Sequence, residues 1–95
     1  MYYSAKLVFE IKPVTHGVES TSIEKRIVLI ESPNEFDAAS KANLIGEQSE
    51  FNYEASDGGT VIVSFVGIEN IYHIIDDKIG HGTEIYSETE YKTNR

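Results

Sequence analysis

The sequence predicts an α+β domain with one mostly antiparallel β-sheet, order β-β-α-β-β-β-β, and a single helix packed on one face. Three observations carry that prediction. Apolar and polar residues alternate at period two along several segments, as half-buried strands require. One segment, opening at Ser32-Pro33-Asn34-Glu35, has the start signals of a helix. Asp57-Gly58-Gly59 supplies positive-φ residues for a tight hairpin between two alternating runs.

The first strand is Tyr2 to Val14. Tyr3, Ala5, Leu7, Phe9 and Ile11 share one face, Ser4, Lys6, Glu10 and Lys12 the other, with Val8 the exception. Pro13, which cannot donate to a ladder, marks its end. Thr15 to Ser22 reads as a loop. The second strand, Ile23 to Glu31, contains the unbroken run Ile27-Val28-Leu29-Ile30, so both its faces are expected to be covered there, at least partly. In the helix, from Asn34 to Ile45, Ser32 is the expected N-cap in a reciprocal box with Glu35, and Pro33 takes the first helical position. Ala38, Ala42 and Ile45, with Ala39, share a side flanked by Phe36, and Gly46 is expected to end the helix. Phe51 to Ser56 alternates again. Thr60 to Ile68 is apolar on both faces, Gly67 is read as a bulge or close approach, and Asn70 to Ile75 is read as a separate strand. A polar loop then leads to a last strand, Thr83 to Tyr91. The expected core includes Leu7, Phe9, Leu29, Ala42, Ile45, Val63 and Phe65.

The 95 residues, 40% apolar and 25% charged, suit one small globular domain over 1–95, with 90–95 expected to fray. Sixteen acidic against eight basic residues leave a net charge of −8, and no cysteine occurs. The charge argues against a nucleic-acid partner, which needs a cationic footprint. Without cysteine there are no disulfides, thiol catalysis or thiolate metal sites. No apolar run is long enough to span a membrane, and the first residues lack a secretion signal's charged-then-apolar pattern, so a cytoplasmic protein is expected.

Four stretches taken together resemble a bacterial domain of unknown function, family 4288. They are Tyr2-Tyr3-Ser4-Ala5-Lys6-Leu7, Ala38 to Gly46, Ser64-Phe65-Val66-Gly67-Ile68, and Gly82-Thr83-Glu84-Ile85-Tyr86-Ser87. The likeness runs from Tyr2 to about Ser87 and rests on the order and spacing of these stretches. The family's tryptophans beside the opening tyrosine and in the penultimate strand are absent, Tyr2 and Ser64 being the residues that would replace them. The resemblance implies the fold and a bacterial cytoplasmic setting, and it carries no catalytic residues.

Little in the chain suggests an enzyme. His81, with Asp76, Asp77 and Glu84 nearby, is the best metal candidate, but its spacing follows no established ligand pattern, and the same residues suit a polar turn. His16 falls in a loop and His73 within a strand. No G-x-S-x-G elbow occurs, and Asp57-Gly58-Gly59 precedes a strand, so it is no phosphate loop. Neither a catalytic residue nor a cofactor is expected. The informative feature is the last segment, where Glu84, Tyr86, Glu88 and Glu90 alternate onto one face. Such a row suits a cationic partner, with the tyrosine as amphipathic anchor; it equally suits a solvated face that discourages edge pairing. The first expectation for function is therefore a small acidic, non-enzymatic binding protein that engages a basic protein, such as an immunity protein or antitoxin neutralising a toxin. The alternative is a small-ligand-binding or housekeeping module, monomeric or homodimeric, whose acidity serves solubility.

Overall fold

A computed structural model describes residues 1–14, 20–56 and 58–93. The first strand, β1, is Tyr2–Val14, and β2 is Ser22–Glu31. Helix α1 spans Glu35–Gln48, followed by β3, Phe51–Glu54, and β4, Thr60–Ile74. The strands form one antiparallel sheet in the order β2-β1-β4-β3. The architecture is thus α+β, with the two longest strands at the centre. His16 and most of the expected Thr15–Ser22 loop lie outside the described residues, as do Asp57 of the hairpin and the final two residues of the expected tail.

Alternation in β1 divides the sheet into two faces. Tyr3, Ala5, Leu7 and Phe9 are buried and form the core with Ile30, Ala38, Ala42 and Val63. Ile45 and Phe65 pack against that cluster, and Phe9 and Phe65 meet with ring centroids 5.5 Å apart. Leu29 does not join the core as expected. It pairs with Ser4, so it shares the opposite, outer face and is 54% exposed.

Small residues set the helix against the sheet. Ala38, Ala42 and Gly46 recur every four residues and are its buried positions. Gly46 does not end the helix as expected. It lies on the helix's inner side, where a β-carbon would overlap the Phe65 ring. Phe36 points into solvent.

The cap also differs from the expected one. Ser32 is buried; its amide donates to the Met1 carbonyl, and its hydroxyl donates to the Asn34 carbonyl. Held to the end of the sheet, it cannot serve the helix. Asn34 is the N-cap: its extended backbone leads into the helix, and its Oδ1 accepts from the Asp37 amide at 2.7 Å. Asn34 Nδ2 also donates to the Asp37 carboxylate at 3.2 Å, a side-chain bond that ties the cap to the third helical residue two positions later than the expected pair.

The strand count is lower than expected. The two segments expected over Thr60 to Ile68 and Asn70 to Ile75 are one strand, β4, which ends at Ile74 and whose register against β1 shifts between Lys6 and Leu7 and again between Val8 and Phe9. Glu69 and Val66 are the extra residues, and Gly67 sits between them, in keeping with its reading as a bulge. The apparent break near Glu69 is a kink within one strand. The segment expected as a last strand, Thr83 to Tyr91, makes no ladder. It crosses the outer face, over strands β1 and β4 whose backbone groups are already paired, so it forms no ladder with them.

Candidate functional site: an acidic cleft on the outer face

The outer face acquires its chemistry from the alternate residues of β1. Ser4 and Lys6 point away from the helix and meet the segment that follows β4. The Ser4 hydroxyl donates to the Ile85 carbonyl, and Ser4 is buried although it lies on the polar side of the strand. Two residues on, the Lys6 ammonium donates to the Glu88 carboxylate and bonds Glu69 at 3.1 Å. These two contacts strap residues 85–88 across the sheet.

Glu69 reaches this face because the bulge re-aims it. An extra residue bends the strand and turns a side chain that alternation would have sent elsewhere. Lys25 of β2 holds its other oxygen at 2.7 Å. Lys6 is the hub: its side chain is only 11% exposed, and its nitrogen lies 5.0 Å from the centre of the Tyr86 ring. Tyr86 packs edge-on against Tyr72, and its hydroxyl donates to Glu88 at 2.6 Å. The Tyr72 hydroxyl donates to Glu84 at 2.7 Å.

Proton affinities follow from these bonds. Lys6 is held well above its ordinary value, first by the bond to Glu88, then by Tyr86 and Glu69. Glu88 is lowered, mainly by Lys6 and then by Tyr86. Glu69 is lowered by Lys25 first and Lys6 second. The Tyr72 phenol is raised, chiefly because it donates to the Glu84 carboxylate.

The expected residues are therefore gathered on one strap but differ in what they do. Glu84 and Glu88 are bonded to Tyr72 and Lys6, Tyr86 is half-buried between them, and Glu90 is exposed with no partner among the described residues. An open cleft of about 380 Å³ lies beside them, lined by Glu69 and Asn70 of β4 and by Tyr86 to Glu90. Reasoning from sequence missed Lys6, Lys25, Glu69 and Tyr72. The signal for Lys6 was its place on the polar side of β1; the signal for Glu69 was the break in pattern between Ile68 and Asn70 beside Gly67, which marked the irregularity but not the direction in which it turns the side chain.

The chain belongs to a known family. The family described as Domain of unknown function (DUF4288) matches residues 2–87, which include the strap through Ser87. No curated protein and no solved structure matches the chain. In this DUF4288 chain Asp76, Asp77 and His81 are exposed, and among the described residues no three His, Asp or Glu side chains are grouped to hold a metal ion. Around them the chain turns back: Thr83 N donates to the Gly80 carbonyl, Gly80 N donates to the Thr83 hydroxyl, and Gly82 has φ 84°. Among the described residues no helix is long and apolar enough to cross a membrane.

Proposed function

We propose that this DUF4288 chain is a cytoplasmic, non-enzymatic binding protein that engages a basic protein through the outer-face cleft. An immunity protein or antitoxin that neutralises a cationic toxin has this design. The observation that supports the reading is the convergence of three carboxylates from two elements: Glu69 from the bulge, and Glu88 and Glu90 from the strap. Lys6 and Lys25 pair with Glu69 and Glu88 and hold them at the cleft, and Glu90, with no partner among the described residues, is the carboxylate left open to a cation. The net charge of −8 adds long-range attraction for a positive surface and speeds encounter. Half-buried Tyr86 offers a rigid aromatic edge at the cleft.

The test compares the parent with Glu88→Gln/Glu90→Gln as bait for lysate of the source cell, at low and at moderate salt. Basic proteins held by the parent, released by salt and lost from the folded variant support the reading. Recovery of the same proteins with both baits at every salt concentration removes it.

One observation favours a second reading, a small-ligand-binding module. Ile27, Leu29, Ile74, Ile79 and Ile85 line an apolar cavity of about 250 Å³ between the sheet and the strap, with Ser4 at its wall. A heat-shift screen against metabolites tests it, a rise in the unfolding midpoint lost in Ile74→Ala being the supporting result.

A further inference from the structure

β2 is an edge strand of unusual length and composition. Among the described residues it pairs with β1 alone, over ten residues, whereas the other edge, β3, has four. The direction of its free backbone groups follows from one bond. Ser32 N donates to Met1 O, so the Glu31 carbonyl of the same peptide turns away from β1, and there the Lys41 ammonium caps it. Alternation along the strand then turns the N–H and C=O of Ile23, Lys25, Ile27 and Leu29 outward as well. Ile23, Ile27 and Leu29 are exposed, 46–55%. The radius of gyration, 17.0 Å, exceeds the roughly 13 Å of a compact chain of about 100 residues, consistent with an incompletely covered sheet.

We infer that the chain forms a two-fold homodimer in which β2 pairs antiparallel with β2 of a second copy, joining the two sheets into one. A two-fold axis perpendicular to the sheet keeps each face on its own side, so only residues of the same face oppose each other. Centred on Val28, the pairing sets Ile27 against Leu29 and Lys25 against Glu31, each pair twice by symmetry. Two aliphatic pairs are thereby bracketed by two opposite-charge pairs, the favourable cross-strand combinations. Neighbouring registers lose this match. Centring on Ile27 puts Lys25 against Leu29 and Ile23 against Glu31; centring on Leu29 puts Ile27 against Glu31. The pairing exchanges contacts already made at the edge. Lys25 leaves Glu69, which keeps Lys6 on its other oxygen. The Glu31 carboxylate turns from the Tyr2 hydroxyl, and the exposed Lys41 ammonium swings off the Glu31 carbonyl. Repulsion between two chains of charge −8 is screened beyond about 8 Å at physiological ionic strength, whereas the paired charges at the edge are in contact.

The test is sedimentation equilibrium of the full chain at that ionic strength. The parent should approach twice 10.6 kDa as concentration rises. Lys25→Glu and Glu31→Lys, each shown folded by circular dichroism, should each dimerise about tenfold or more weakly, because like charges then face each other. An equimolar mixture of the two variants should recover the dimer with one chain of each, since both charge pairs are restored. A second measurement fixes the register: Val28→Cys introduces the sole thiol of a chain without cysteine, and it should oxidise to a disulfide-linked dimer. Opposed residues of a non-hydrogen-bonded pair lie about 4.5 Å apart at Cα, within disulfide reach. A parent that is monomeric at every concentration, a dimer that neither charge reversal weakens, or a mixture that fails to associate overturns the proposal. Capture through Ile27→Cys without capture through Val28→Cys overturns the register.

Discussion

The Phe65 ring occupies the space in which a β-carbon on Gly46 would lie. Glycine is a poor helix residue, yet here its missing side chain lets α1 settle onto β4 with an aromatic ring between them. Gly46→Ala should gain about 1 kcal/mol in helix propensity and lose about 1–3 kcal/mol to overpacking, for a net loss of stability. Chemical denaturation of Gly46→Ala in the parent and in a Phe65→Ala background checks this. In the second background the alanine should no longer destabilise, and equal costs in both would remove the contact from the explanation.

Phe65→Ala alone should cost about 3 kcal/mol, the low end for a core aromatic, because the ring is only partly buried. That is a large fraction of a small domain's stability. Thermal unfolding measures it, and an unshifted midpoint would mean the ring contributes nothing to the Phe9 cluster.

The helix start offers a discriminating pair. Asn34→Ala should cost about 0.5–2 kcal/mol by leaving the Asp37 amide unpaired, while Asn34→Ser should retain most of the cap. If the two variants melt together, Asn34 is not the residue that starts the helix.

Strap anchoring should respond to pH at both extremes. Glu88 is held below its ordinary 4.5, so its contribution is present above about pH 4.5 and is lost as pH falls through the lowered value. Lys6 is held above its ordinary 10.5, so its contribution is full below that pH and is lost only as pH rises through the raised value. Neutral solutions therefore hold the strap most firmly. The Tyr86 ring resonances should move as the solution is acidified below pH 4.5, and in Lys6→Met they should already be displaced at pH 7. Tyr86 signals identical in parent and Lys6→Met would show that Lys6 does not anchor the strap.

Ser4→Ala removes the other anchor. The loss should be about 1 kcal/mol, the worth of one hydrogen bond, and it should be local. Hydrogen exchange should quicken at the Gly80 and Thr83 amides, the bonded amides of the strap, and stay unchanged in the paired amides of β1 and β4. Unchanged exchange in the strap would show that the Ser4 hydroxyl does not hold it.

What the sequence determined by itself was whatever depends on near neighbours along the chain. The two faces of β1, the existence and place of the helix, the bulge at Gly67 and the acidic alternation of Glu84, Tyr86, Glu88 and Glu90 all follow from period, turn chemistry and residue type. Only the tertiary structure decided what depends on occupied space. Leu29 went outward because its register with Ser4 set its face, and Ser32 left the cap to Asn34 because the end of the sheet claimed it. The last segment became a strap instead of a strand because the backbone groups beneath it were already paired, which left side chains to hold it. Glu69 and Lys6, far apart in the chain, met only when a bulge turned one of them. Period-two patterning reports that a segment is extended; which neighbour it bonds is settled by the donors and acceptors still free once the sheet has formed.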